Sequence, residues 1–200
     1  GRGDVGDMSL SNGADTKSRL VTGAAGGVAA YLLGYLLVYV TQRGGVEEQL
    51  EGFNFIADVF GSDPIPTWQA VGWLFYNTHF VATEVPSVIG GPTSENFIAA
   101  GDDGTLTALY LVPVVLLLVA GLAAGRLANA DDPADGAQAG ALVVAGYLPL
   151  AIAGAVLFGY SVGEGAIAPD LVTAVLLAGV VYPAALGAVG GVASTFLGDE

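Results

Sequence analysis

Two hundred residues carry 19 acids against five bases, no cysteine, one histidine and one methionine, and more than half of them are apolar. Without cysteine there are no disulfides, thiolate metal sites, iron–sulfur clusters or thiol catalysis, and a lone His79 with Met8 in a polar stretch makes a two-ligand haem a poor fit. No basic patch offers a nucleic-acid surface, and 31 glycines in so apolar a chain fit a small polytopic membrane protein.

The charges lie almost wholly outside the apolar runs. Acidic loops with a single lysine, and abundant Ala, Gly, Val and Asp, suit multimolar salt, where like-charge repulsion is screened within a few ångströms. The composition points to a haloarchaeal source, the alternative being a high-GC bacterium with an acidic proteome.

Residues 1–18 are polar, glycine-rich and aperiodic, which predicts a flexible N-terminal tail ahead of a membrane domain over 19–200. The first span is expected over about 20–41. Its apolar run is too long for a signal h-region, so it is expected to stay in the protein. Gly23, Gly27, Tyr31, Tyr35 and Tyr39 recur every four residues, with Gly26, Ala30 and Gly34 beside them. Small residues at that spacing let helices approach closely in lipid, and the tyrosines need partners at membrane depth. The ridge is expected to face other helices. Its bland reading is packing and interfacial anchoring, its functional one an aromatic-lined path.

Residues 42–104 form the one sizeable region outside the spans. Val46, Leu50, Phe53, Ala57 and Phe60 at helical spacing, with Glu47, Glu48, Glu51 and Asp58 on other faces, predict an amphipathic helix over 46–60. A break at Gly61–Pro66 follows, and then an almost wholly apolar helix over 67–82, bounded by Pro66 and Pro86. It is too apolar for water and short for a span, which favours a re-entrant or bundle-capping element. Trp68, Trp73, Phe75, Tyr76 and His79 are its candidate cap and interface residues. Next, one short helix is expected between Thr93 or Ser94 and Gly101.

Three further spans follow, over 105–127, 139–160 and 171–197, each with about the 20 apolar residues needed to cross hydrocarbon. Spans two and three are joined by a short acidic connection, and three and four by a tight turn. Gly179, Pro183, Gly187 and Gly191 share a face of span four, so Gly179, Gly187 and Gly191 join Gly23, Gly27 and Gly34 as packing candidates, and a kink is expected near Pro183. The predicted class is an all-α bundle of four transmembrane helices with an extracellular or re-entrant helical cap. Lys17, Arg19 and Arg126 fall at one end and Arg43 at the other, which predicts a multi-pass cell-membrane protein with both termini cytoplasmic.

The sequence offers no catalytic constellation. A zinc site needs three or four suitable ligands and His79 has only Glu84 near it in sequence, so a hydrogen-bonded structural histidine is the stronger reading. No nucleophile-elbow pattern supports a serine triad. Apart from Arg126 at the very end of the second, no Asp, Glu, Lys, Arg or His lies inside the four predicted spans, which disfavours ion-coupled transport and proton relays. Neither metal nor cofactor is expected.

The stretch WQAVGWLFYNTHFV (68–81), taken with four spans and acidic loops, resembles an uncharacterised family of haloarchaeal membrane proteins from the first span onward. That resemblance implies habitat and topology, and it brings no activity. Two functional expectations follow. One is a non-enzymatic structural or accessory subunit partnered by the bilayer and by copies of itself or a larger membrane complex. The other is a channel, transporter or lipid-handling protein for a neutral or apolar solute. A sealed bundle separates the first from the second, which requires a tunnel.

Overall fold

The computed structural model describes residues 3–87, 90–101 and 104–197, with side chains in the first helix from residue 12 onward. Four helices are long and apolar enough to cross a membrane: α1 (Gly3–Val59), α4 (Gly104–Leu127), α5 (Pro133–Leu157) and α6 (Leu171–Phe196). Between α1 and α4 lie α2 (Thr67–Asn77), strands β1 (Thr83–Val85) and β2 (Thr93–Glu95), and the single turn α3 (Phe97–Ala100). Strands β3 (Tyr160–Val162) and β4 (Gly165–Pro169) join α5 to α6.

Several expectations need correction. The N-terminal stretch is helical from Gly3, and the amphipathic stretch 46–60 is the continuation of α1 and not a separate helix. The chain holds no proline before Pro64, and glycine alone costs only about 1 kcal/mol per helical position. Once the buried middle of α1 is nucleated, elongation in both directions is therefore cheap. The fold is not all-α either. Its strands form an antiparallel sheet in the order β2-β1-β4-β3, so the expected tight turn between the last two spans is a hairpin, and the predicted start of a short helix at Thr93 or Ser94 is a strand. The short helix begins after Asn96, whose side chain caps the amides of Ile98 and Ala99. Thr93–Glu95 pairs with the neighbouring Thr83–Val85, which itself pairs with β4 of the distant hairpin, and this sheet context overrode the local helix signal.

Each long helix carrying a proline departs from α geometry just before it. A 3₁₀ turn at Ala108–Tyr110 precedes Pro113. A run of i→i−3 bonds over 139–146 precedes Pro149. A π-helical stretch, Ala174–Val181, precedes Pro183, where a kink is expected. Proline lacks the N–H and crowds the carbonyl four residues back, so the preceding turns tighten or widen to re-pair their carbonyls.

The bundle has two distinct ends. At one, Arg19 on α1 grips Asp135 on α5 with both guanidinium nitrogens, at 2.6 and 2.9 Å, and also donates to the Ala128 carbonyl at 3.1 Å. The start of the α1 span and the α4–α5 connection therefore share this end. The sheet, α2 and the last turns of α1 build the other end, which we call the cap.

Candidate functional site

Helix α2 is the element that the other parts of the cap surround. Residues Ala70 through Asn77 are all buried, an unbroken run of eight, because the helix is apolar on every side and sits inside the bundle. Its C-terminus is a Schellman turn: Val81 N–H bonds Tyr76 C=O at 3.1 Å and Phe80 N–H bonds Asn77 C=O at 2.9 Å. The left-handed position of that motif, normally glycine, is Phe80 (φ 59°). Its ring stacks on Tyr110 with centroids 4.6 Å apart, and the Asn77 amide donates to the Val81 carbonyl, so neighbours hold the strained residue in place.

Every buried polar side-chain atom along α2 has a partner. Trp73 Nε1 donates to the Phe158 carbonyl at 2.5 Å, and Gln69 bonds the carbonyls of Leu157 and Gly159. The Tyr76 hydroxyl donates to Ala151 C=O at 2.5 Å and accepts from the Tyr31 hydroxyl at 2.9 Å. Asn77 also accepts from the Phe97 amide, which ties α3 to α2.

His79 closes the network. Its Nδ1 lies 2.9 Å from the Phe75 carbonyl, which can only accept, so Nδ1 carries the proton. Nε2 is then an acceptor, and the Tyr147 hydroxyl donates to it at 2.5 Å. The ring is 1% exposed and packs edge-on against Phe75 and obliquely on Tyr182. Tyr147 and Tyr182 sit near the middle of α5 and α6, so the only imidazole of the chain lies deep among helices that hold no Asp, Glu, Lys or Arg there. Among the described residues no group of three His, Cys, Asp or Glu could hold a metal. No buried side-chain nitrogen or oxygen among them lacks a hydrogen-bond partner.

The predicted cap residues are thus distributed as follows. Trp73, Phe75, Tyr76 and His79 are all buried; the Phe75 and Tyr76 rings pack edge-on against Tyr31, and His79 packs on both of them. Trp68 stays 44% exposed at the rim, its ring 6.0 Å from Phe158 and its carbonyl accepting from the Tyr35 hydroxyl. Of the glycines, Gly34 faces the Phe75 ring, which a Cβ would meet at 2.9 Å, and Gly179 faces Leu148. A Cβ on Gly23 would meet Leu142 at 2.6 Å, and one on Gly27 would overlap the Val143 carbonyl. Gly187 and Gly191 lie backbone to backbone with Gly140 and Gly136.

Sequence reasoning missed the partners of these residues. Gly154 leaves room for the Tyr31 and Tyr76 hydroxyls, and Gly72 leaves room for the Phe158 ring. Gly121/Gly125 and Gly136/Gly140 are four-residue glycine pairs that meet the Gly187/Gly191 face, and their spacing was a readable signal. Tyr147 and Phe158 carried none, because their roles depend on α2 being inside the bundle.

Residues 7–198 match a family of unknown function, DUF7978. The chain belongs to that family. No curated protein and no solved structure matches this DUF7978 chain.

A second feature lies beside the cap. A cleft of about 630 Å³ opens between the last turns of α1 and the β3–β4 hairpin. Phe53, Ile56 and Phe60 line one wall, Tyr160 to Gly163 the other, and Ala57 and Gln69 lie between.

Proposed function

We propose that this DUF7978 chain is an integral membrane protein, its four long helices crossing a bilayer, and that it acts as a non-enzymatic structural or accessory subunit. The membrane reading is supported by the large side chains these helices leave uncovered, among them Leu32, Leu36, Val115, Val119, Val156, Leu176 and Val189. Such continuous apolar flanks belong against hydrocarbon. The excess of acids over bases supports a high-salt, haloarchaeal habitat. Lys17, Arg19 and Arg126 near one end support placing both termini in the cytoplasm.

One observation favours this reading over a solute path: the polar groups buried around α2 are bonded to one another. α2 fills the space between α1 and α5, and Tyr31 and Tyr76, which would line a path, are hydrogen-bonded to each other and to Ala151. A solute pathway needs polar groups free to receive a solute, and the buried ones described here are already satisfied.

Extraction in mild detergent, followed by native mass measurement, tests the role. The protein is expected in a defined complex, with copies of itself or with stoichiometric partners. A monomer that carries a solute flux in liposomes would overturn the proposal. Sidedness is read by single cysteines in this cysteine-free chain, placed at the exposed positions Gly13, Ala134, Ser62 and Glu164. Only the last two are expected to label from outside.

A further inference from the structure

The cleft between α1 and the hairpin has one feature an ordinary surface groove lacks: one of its walls is the free edge of a β-sheet. β3 is the terminal strand of the order β2-β1-β4-β3 and, among the described residues, pairs only with β4. Its register is Tyr160 with Ile167, Ser161 with Ala166 and Val162 with Gly165, closed by a two-residue turn at Gly163 and Glu164, with Gly163 at φ 59°. In such a hairpin the closing pair is hydrogen-bonded and the pairing then alternates. Val162 and Tyr160 therefore direct their backbone groups to β4, and Ser161 turns its N–H and C=O outward along the cleft.

The two edges of the sheet differ. β2 has Pro92 before it and carries Glu95, and the Ser94 hydroxyl bonds Glu84. Prolines and charges are the usual protection of an exposed edge. β3, Tyr-Ser-Val, has neither. Opposite it, Phe53, Ile56 and Phe60 are 44%, 57% and 80% exposed. Three large apolar side chains facing an unprotected strand edge across about 630 Å³ form a slot for backbone pairing on one side and side-chain burial on the other. The charge around it has one sign. Asp63 lines the slot, Asp58 and Glu164 are next to lining residues, and between residues 44 and 125 there is no Lys or Arg.

We propose that this slot receives an extended segment of a partner protein as a fifth strand on β3, its apolar side chains against Phe53, Ile56 and Phe60 and a Lys or Arg beside Asp58, Asp63 and Glu164. The inference builds on the accessory-subunit reading and supplies the chemistry of the partner. Backbone pairing gives the affinity, the aromatic wall selects apolar side chains at alternate positions, and the acids select the flanks.

The purified full chain tests it with three synthetic heptapeptides: alternating Val and Thr flanked by Lys, the same core flanked by Glu, and the Lys-flanked form N-methylated at alternate amides. The Lys-flanked peptide is expected to bind and to slow hydrogen exchange at Ser161. The Glu-flanked form should bind about tenfold more weakly at low salt, and the N-methylated one should not bind. The double substitution Ile56→Ser and Phe60→Ser, at exposed positions, should weaken binding about tenfold without moving the melting temperature. Absence of binding by the Lys-flanked peptide, or equal binding by its N-methylated form, overturns the slot. Should the mild extract still hold a defined complex, the accessory reading survives that loss.

Two rival occupants give distinct results. A second copy pairing edge to edge would appear as a concentration-dependent dimer that the peptide dissociates. Lipid would appear at a spin label on Phe60→Cys as relaxation by oxygen in place of a water-soluble nickel chelate. Either result overturns the proposal.

Discussion

The two ends of the bundle hold their helices together by opposite means. At the Arg19 end, α4, α5 and α6 meet through glycine: Gly121 and Gly140 lie on the Gly187 carbonyl, Gly136 on that of Gly191, and Gly190 on that of Leu118. Nothing but backbone fits between them, and dispersion contact does the holding. At the cap the helices stand apart, and the gap is filled by a whole helix with its rings and hydroxyls. The first end fails when an atom is added. The second fails when one is removed.

The largest expected effect is therefore a deletion at the cap. Trp73 is 5% exposed and its indole N–H is fixed on Phe158, so Trp73→Ala opens a cavity and leaves that carbonyl unpaired. A loss of about 3–5 kcal/mol is expected in detergent melting. A near-unchanged melt would mean that α2 leaves the bundle easily and belongs to a partner surface.

Next comes an addition at the glycine end. Gly191→Leu has to displace the Gly136 backbone, at a cost of about 1–3 kcal/mol or more. Gly44→Leu is the control, since nothing lies within 4 Å of a Cβ there. Equal tolerance of the two would break the comparison at once.

How much of this the sequence made legible follows from the same contrast. Glycine spacing is a local, periodic signal, so the faces around Gly27, Gly187 and Gly191 could be named, although not their partners. The apolar, proline-bounded stretch 67–82 could be recognised as wanting burial, because a helix without a polar face has nowhere else to go. The sheet could not. Strands of three to five residues pair Thr83 with Pro169, and no short-range pattern in Thr-Glu-Val announces a partner eighty residues away. The Tyr147–His79 bond was hidden for the same reason. His79 looked isolated in a chain whose spans lack charge, and only the insertion of α2 brings a phenol to its Nε2.

That bond supplies a subtler test at the cap. Tyr147→Phe keeps the ring and deletes one oxygen, leaving Nε2 buried without a donor, for an expected loss of about 1–3 kcal/mol. Tyr35→Phe deletes a hydroxyl that bonds the Trp68 carbonyl in an exposed setting, and it should change little. The difference between the two melts measures how far the cap depends on satisfied polar groups rather than on aromatic volume.

The smallest effect belongs to the Arg19–Asp135 charge contact between α1 and α5. Hydrogen bonds from the Arg19 guanidinium hold the Asp135 carboxyl below the ordinary carboxylate value. A carboxyl that is more acidic folded than unfolded gives stability fully present above its unfolded value, near 4, and lost as pH falls through the folded one. The pair is nearly a third exposed on each side, so it contributes no more than about 1 kcal/mol, less in strong salt. Melting temperature should therefore fall slightly between pH 5 and the acid range, and Asp135→Asn should remove that part of the slope while leaving the neutral-pH melt within about a kcal/mol. Because the contact joins helices already locked at Gly23, Gly27 and Gly146, its loss should shift register at this end without opening it. A large drop for Asp135→Asn would instead mean that the glycine contacts depend on the ion pair, reversing the order of importance argued for the two ends.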